Sequence, residues 1–420
     1  DQDPLRGPLW WLPVVTVMAF HAALVAAERC RPTLSTRSVV AATMVVACAA
    51  VVASPYGSHD LYQYAMYGRM VVDHHANPYL TAPSAFPRDP LFGHLVGAWR
   101  HGPSVYGPGF TALSSVGAVG YGGSVLLARL FFQLLAAGAL VGSVAYLGRR
   151  RAGSAALVFI GLSPVLLATV NGGHNDLLAG ALVLVGVDQA RRDRNAWSAV
   201  ALAAACLVKL SAGPAVAAVV LMLVVRRRWR AAGGLVVGVG ALLTAGYAAV
   251  GGLPALRPLG TIGHRASRAS LWASLRGDRL PLHGLPTDLP DLATLSMGIL
   301  VLALLAVVVQ VWRARSRPVD AASMAVALGS IAIFGSLYVL PWYPAVVLPV
   351  AALALAPAAR RALHLGASAL LVAYVAPPGV VIQGISTQPA GRLCGLVLAG
   401  VVGVAVVGRL WLVPQPAVSG

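Results

Sequence analysis

Apolar runs separated by short arginine-bearing joints recur along almost the whole chain of 420 residues. A membrane-spanning helix needs roughly 20 apolar residues, with about 17 to 25 tolerated. The runs near 9–27, 38–54, 124–147, 153–170, 177–190, 197–211, 213–225, 231–250, 291–312, 320–338, 343–357, 362–376 and 393–412 therefore predict about 13 spans. Proline and glycine interrupt several of them, as near Pro214, which is tolerated only where protein or water satisfies the freed backbone groups. The basic joints fall at Arg29/Arg31/Arg37, Arg149–Arg151, Arg191/Arg192/Arg194, Arg226–Arg230, Arg313/Arg315/Arg317 and Arg360/Arg361. Placing every joint on the cytoplasmic side gives a consistent alternation. Three longer segments, about 55–123, 251–290 and 377–392, then face outward, with the N-terminus outside and the C-terminus inside. The apolar stretch 107–121 would break the alternation as a span, so it is expected to be a re-entrant or interfacial helix. The predicted fold is all-α: one polytopic membrane domain over residues 1–420, a transmembrane helix bundle with extracytoplasmic interfacial helices.

Composition agrees. The chain is 58% hydrophobic and 10% charged, against about 25% charged in a soluble globular domain. Mean hydropathy is +0.78. A net charge of +18 raises the question of nucleic acid. The arginines sit in small clusters between apolar runs and form no single stripe, so nucleic-acid binding is not expected. Cys30, Cys48, Cys206 and Cys394 lie in or beside apolar runs without paired spacing, which fits free thiols and neither disulfides nor a metal site. The first run lacks a basic flank and a small-residue cleavage site, so it does not read as a signal peptide. Neither a phosphate-binding Walker loop nor a His-Glu-x-x-His zinc motif occurs, which disfavours an ATP-driven pump or a zinc protease.

Polar residues worth chemical attention concentrate on the outward side. If a helix begins near Asp60, then Asp60, Tyr64 and Tyr67 share one face. A carboxylate there is placed to act as a base towards a sugar hydroxyl; a helix cap with an aromatic belt is the plainer reading. Asp73, His74 and His75 carry metal-ligating atoms, but adjacent residues seldom converge on one ion, so no metal site is expected. The Asn77-Pro78-Tyr79 and Tyr106-Gly107-Pro108 triplets are turn signals. Asn171-Gly172-Gly173-His174-Asn175-Asp176 breaks one helix and starts the next with three polar side chains at the membrane edge, where ionisable residues are functional candidates. Lys209, the only lysine, falls at the same depth as Asp176 and is a plausible ion-pair partner for it. Its other reading is as a contact to a lipid phosphate. Gly263-His264-Arg265-Ala266-Ser267-Arg268 offers arginine forks for phosphate. Pro341-Trp342-Tyr343 could line a lipid-sugar groove or belong to an aromatic belt.

Taken in order, Asp60-Leu61-Tyr62 with Tyr64, then Asn77-Pro78-Tyr79, Tyr106-Gly107-Pro108, Gly172–Asp176, Val208-Lys209-Leu210 and Pro341-Trp342-Tyr343 form a recognisable series. Across about residues 38–350 it resembles the GT-C membrane glycosyltransferases that use polyprenyl-phosphate sugars. The likeness is nearest to actinobacterial polyprenol-phosphomannose-dependent α-1,6-mannosyltransferases of lipomannan and phosphatidylinositol mannoside assembly. The resemblance implies a GT-C helix bundle in the cell membrane with an extracytoplasmic active site. It implies an inverting transfer of mannose from a polyprenyl-phosphate donor to a glycolipid or mannan acceptor, with Asp60 as catalytic base. His59, Tyr62, Tyr64, Asn77, Tyr79, Tyr106, His174, Asn175, Asp176, Trp342 and Tyr343 are the implied substrate-binding set. Some GT-C enzymes neutralise the departing phosphate with a metal held by a second acidic residue. Here His59 precedes Asp60, so His264, Arg265, Arg268 or Lys209 are favoured for that task and no cofactor is expected. The competing reading is a lipid-linked sugar transporter or flippase. It should show a matching polar set on the cytoplasmic half. Mostly arginine clusters occur there, with Asp188 explicable as a partner of Arg191 and Arg192.

Overall fold

Serine, aspartate and proline at the heads of the apolar runs decide where helices start. Ser35, Ser124 and Ser163 each accept a hydrogen bond from the amide three residues on, at 3.0, 3.3 and 3.3 Å, and Asp320 does the same for Ser323. Each satisfies one of the amides that a helix N-terminus leaves without an internal partner. Pro108, Pro164 and Pro214 occupy first-turn positions, where a missing N–H is harmless.

The computed structural model describes residues 12–30, 34–263, 267, 270, 289–313, 320–375, 381–382 and 385–386. Its helices are α1 (Leu12–Cys30), α2 (Thr36–Val52), α3 (Asp60–Val72), α4 (Gly97–Arg100), α5 (Pro108–Tyr121), α6 (Val125–Arg149), α7 (Ser154–Gly161), α8 (Pro164–Asn171), α9 (Asp176–Arg191), α10 (Asn195–Val208), α11 (Gly213–Val225), α12 (Trp229–Ala248), α13 (Arg257–Gly263), α14 (Leu289–Arg313), α15 (Ala321–Phe334), α16 (Leu348–Ala354) and α17 (Pro357–Val375). A minimal hairpin, Val381–Ile382 against Ile385–Ser386, is the only strand pairing among the described residues.

Among the described residues, four stretches are long and apolar enough to cross a membrane: α1, α6, α7 with α8, and α12. Their outer faces carry apolar residues where a soluble protein would place polar ones, as at Leu134 in α6 and Val237 in α12. The chain is membrane-associated. Several other predicted runs form shorter helices. The run at 153–170 breaks at Ser163-Pro164, because proline at the head of α8 cannot continue α7. The run at 343–357 is a 3-10 turn, Tyr343–Val346, followed by the seven-residue α16. The stretch 107–121 does form a helix, α5. The run at 393–412 and most of the outer segment 377–392 lie outside the described residues.

The long segment between α2 and α6 folds into a small layer built on α3 and α5. Gly68 is where they cross: a Cβ there would lie 2.3 Å from the Ser114 carbonyl oxygen. Tyr121 Oη closes the crossing by donating towards the carbonyls of Ala65 and Ser114 at 3.1 and 2.9 Å. Asp89, buried, ties the layer together through Arg69 at 2.9 Å and His74 at 2.8 Å, and the His74 ring stacks on Phe86. His74 is thus engaged with a carboxylate from further along the loop.

The arginine-rich end of the bundle is held by ion pairs: Arg150 with Asp188 at 3.0 Å, Arg191 with Asp320 at 2.9 Å, Arg228 with Asp193, and Arg360 and Arg361 with Glu28. Asp188 therefore bonds Arg150 and Tyr146, at 3.0 and 2.6 Å, and not its helix neighbours Arg191 and Arg192. Arg191 turns instead to the head of α15. The sequence neighbours were close enough, but α6 ends beside Asp188 and supplies Arg150 and Tyr146 as its partners.

Gly68→Ala should lower the thermal unfolding midpoint in detergent, since overpacking costs about 1 to 3 kcal/mol. Gly138→Ala in α6, with nothing within 4 Å of an added Cβ, should leave the midpoint unchanged or raise it slightly. Equal effects of the two would contradict the close α3–α5 crossing.

Candidate active site

Asp60 opens α3, as its first residue. The backbone N–H of Asp60 donates to Ser58 Oγ at 3.2 Å, which fixes the entry of the chain. The carboxylate is 17% exposed and lies 3.6 Å from His174 Nδ1. One turn on, Tyr64 Oη sits 3.5 Å from the same nitrogen, as the shared face of α3 requires. Burial pushes the Asp60 carboxyl up to about 6; Lys209 pulls it back and Asp176 pushes it further. The phenols of Tyr64 and Tyr106 are raised well above their ordinary range by burial, so both are neutral.

His174 reaches this place because of two glycines. Gly173 has φ +62°, and a Cβ on Gly172 would lie 2.4 Å from His174 Nε2. The pair ends α8 and lets the imidazole fold back over the turn. Burial first, and then the Lys209 charge, holds the His174 imidazole well below its usual value. It is a neutral ring, and its approach to Asp60 is a polar contact between a neutral group and a carboxylate. His174, Asn175 and Asp176 are all essentially buried. Neither side-chain atom of the Asn175 amide, nor Asp176 Oδ2, has a hydrogen-bond partner among the described residues. Buried polar groups are seldom left so.

Lys209 comes from the break after α10. Its Nζ lies 2.8 Å from Asp176 Oδ1 and 4.3 Å from the centre of the Tyr343 ring, the pairing expected from equal depth. Trp342 stacks on His174, with ring centres 3.7 Å apart and planes at 13°. Tyr374 stands edge-on to Trp342 and donates to the Gly57 carbonyl at 2.9 Å, just ahead of Asp60. Tyr106 packs edge-on against Tyr64.

Of the residues singled out in the sequence, Asp60, Tyr64, Tyr106, His174, Asp176, Lys209, Trp342 and Tyr343 are linked by these contacts, with Asn175 in the same turn. His59 and Tyr62 pack on each other at the rim. Asn77 and Tyr79 hold the loop: Asn77 Nδ2 donates to the Val250 carbonyl at 2.7 Å, and Tyr79 Oη donates to the Tyr106 carbonyl at 2.9 Å. His264, Arg265 and Arg268, with the neighbouring Trp272, Arg276 and Arg279, lie outside the described residues. Two contributors escaped the sequence reading. Tyr374 looked like the end of an apolar run. Asn171 looked like part of a turn, yet its side chain bonds the backbone at Ala50, Ala53, Ser54 and Tyr56. Its polarity in an apolar run was the available clue.

Residues 7–225 match the MptA_B family model, described as alpha-(1->6)-mannopyranosyltransferase, N-terminal domain. The match covers more than half of the chain, which therefore belongs to this family and is a glycosyltransferase of the mannosyltransferase type. It contains Asp60, His174, Asp176 and Lys209, while Trp342, Tyr343 and Tyr374 come from beyond it. An enzyme thus replaces the transporter alternative. No curated protein and no solved structure matches the chain.

Removing one partner of a buried ion pair costs about 3 to 5 kcal/mol, because the other charge is left uncompensated. Lys209→Met should therefore lower the thermal midpoint sharply, and the double variant Lys209→Met/Asp176→Asn should recover much of the loss. A double variant as unstable as the single one would argue against the pair.

Proposed function

With membership of the alpha-(1->6)-mannopyranosyltransferase family as premise, we propose that the chain moves mannose from a polyprenyl-phosphate donor to a glycolipid or mannan acceptor, at the extracytoplasmic face of the cell membrane. In this reading the chain is a multi-pass GT-C bundle, and the layer of α3 and α5 covers its outer end. The orientation follows from gathering the arginine joints on the cytoplasmic side.

The observation that carries the reading is the setting of Asp60. It is a carboxylate at the head of a largely buried helix, itself nearly buried, beside neutral polar groups and a lysine, with its proton affinity raised to about 6. A general base works best when its pKa approaches the operating pH. Asp60 takes the proton of the acceptor hydroxyl, whose oxygen attacks the anomeric carbon of the donor. The bond from that carbon to the phosphate oxygen breaks, configuration inverts, and polyprenyl phosphate departs. His174 Nδ1, within 3.6 Å of Asp60 and 3.5 Å of Tyr64 Oη, positions the carboxylate.

The Asn175 amide and Asp176 Oδ2 offer donors and an acceptor suited to sugar hydroxyls. Trp342, stacked on His174, supplies an apolar plane of the kind that packs on a sugar or prenyl chain. Lys209 has three N–H donors, of which Asp176 engages one. The remaining donors, with His264, Arg265 and Arg268, are assigned to the departing phosphate.

Asp60→Asn should reduce mannose transfer by a hundredfold or more, the scale of general-base catalysis, while the protein still inserts and folds. Transfer is read as radiolabelled mannose passing from polyprenyl-phosphomannose to a mannolipid, without added nucleotide sugar. Full activity in this variant would remove Asp60 as base. Because the carboxylate form is required, kcat/KM should fall as pH drops through about 6. An acid limb near 4 would mean that the Asp60 carboxyl keeps its ordinary affinity and that burial does not raise it. With cationic side chains assigned to the phosphate, activity should survive EDTA. Loss of activity that Mg²⁺ or Mn²⁺ restores would show that assignment wrong.

A further inference from the structure

At the end of the bundle away from Asp60 lies a cavity of about 340 Å³, lined by Arg150, Arg191 and Arg360, by Gly153, Ala155 and Ala156 at the start of α7, and by the end of α16. None of its lining residues is acidic. The carboxylates that hold these arginines, Asp188, Asp320 and Glu28, stand outside the lining. Arg150 and Arg191 each bring Nε near a carboxylate, at 3.0 and 2.9 Å, and Arg150 Nε makes no hydrogen bond among the described residues. Their terminal N–H groups bond no described residue. Arg360 is 8% exposed, and its Nε has no hydrogen-bond partner among the described residues. A buried, unpartnered guanidinium donor in a cavity wall is costly unless an acceptor occupies the cavity. The first amides of an α-helix, here those of α7, favour an anion in the same place.

The charge count sharpens the ligand. Arg150, Arg191, Arg360 and Arg361 face Asp188, Asp320 and Glu28. Three guanidiniums line the cavity while their carboxylates stand outside it, which suits a single phosphate group better than a polyphosphate. Guanidinium forks match phosphate oxygens in geometry as well as charge.

We infer that this cavity binds a single phosphate group, a phosphodiester headgroup of a membrane lipid or a free phosphate, as a site separate from the Asp60 cluster. Arg150 follows α6, whose 25 residues span about 37 Å at 1.5 Å per residue. Its other end lies beside the Asp60 cluster, where Phe132 packs on Tyr64. The cavity is therefore too far away to touch the same sugar. The ligand would bridge the polar ends of α6, α7, α9, α16 and α17.

The test uses the full chain, delipidated in detergent, with two probes. Native mass spectrometry reads retention of phosphatidylglycerol against zwitterionic phosphatidylcholine. Thermal unfolding reads the midpoint shift with inorganic phosphate. One tightly retained phosphatidylglycerol, lost at least tenfold in Arg191→Gln and in Arg360→Gln, supports a lipid headgroup. A saturable midpoint rise with inorganic phosphate, absent in Arg191→Gln and unaccompanied by preference for phosphatidylglycerol, supports a soluble phosphate. Arg191 is a third exposed, so its replacement leaves a folded protein to measure even if Arg360→Gln does not fold. If both probes act alike on parent and Arg191→Gln, or neither binds, the inference is overturned. Asp60→Asn should bind both probes as the parent does, which separates this outcome from the fate of the catalytic reading.

Discussion

Two buried carboxylates, Asp60 and Asp176, share one ammonium, Lys209. The hydrogen bond goes to Asp176, at 2.8 Å. Asp60 feels the lysine only at longer range, beside a neutral imidazole and phenols that do not ionise. Burial therefore outweighs the lysine, and the Asp60 carboxyl is raised to about 6. The same inequality has a thermodynamic sign. Between the unfolded value near 4 and about 6, the folded state holds more protons than the unfolded one, so stability falls as pH rises through that window. A strong proton acceptor at neutral pH is thus maintained against the stability of the fold. The surrounding packing must make up the difference.

That packing is drawn from distant parts of the chain. α3 supplies Asp60 and Tyr64, the glycine turn before α9 supplies His174 to Asp176, the end of α10 supplies Lys209, and the segment after α15 supplies Trp342 and Tyr343. Within a membrane, apolar burial gives helices little reason to prefer one another, and association rests on close packing and interhelical hydrogen bonds. The cluster provides both. Trp342 lies flat on His174, and Tyr374 ties Trp342 to the backbone at Gly57. Asn171 fastens the end of α8 to the end of α2 through the backbone at Ala50, Ala53 and Ser54. The segment that leads into Asp60 is therefore held at Gly57 by Tyr374 and at Ala53 to Tyr56 by Asn171.

Much of this arrangement was legible because polar residues are so scarce. Given a helix beginning near Asp60, its shared face with Tyr64 followed from local spacing, and the pairing of Lys209 with Asp176 followed from equal depth in alternating spans. Local periodicity and alternation carry that far. Contacts depending on which helices are neighbours were beyond reach. Asp188 was assigned to Arg191 and Arg192 by sequence proximity, whereas α6 brings Arg150 to it. Tyr374 passed as the polar fringe of an apolar run, since nothing local shows that its hydroxyl meets Gly57. The breaks at Ser163-Pro164 and Tyr343–Val346 were hidden for a different reason. Hydropathy averages over a window and cannot distinguish one straight helix from two short ones with the same composition.

The two ends of the bundle use different cations, and the difference is physical. At the arginine-rich end, planar guanidiniums are fixed by carboxylates, and their forks define one geometry. At the Asp60 end the sole cation among the linked side chains is a lysine, a point charge on a flexible stem with rotatable donors. A glycosyl transfer moves negative charge from the acceptor oxygen to the departing phosphate. A cation that can follow that movement is more useful there than a rigid fork. Lys209 is restrained by Asp176 on one side and by the Tyr343 ring on the other, which limits the movement to a short swing. The aromatic contact adds an electrostatic attraction to the ammonium without supplying a counter-charge. In the proposed reading, clamping by guanidiniums and charge compensation by Lys209 fall at opposite ends of α6. On this reading the protein can hold its fold rigidly at one end while charge relocates at the other.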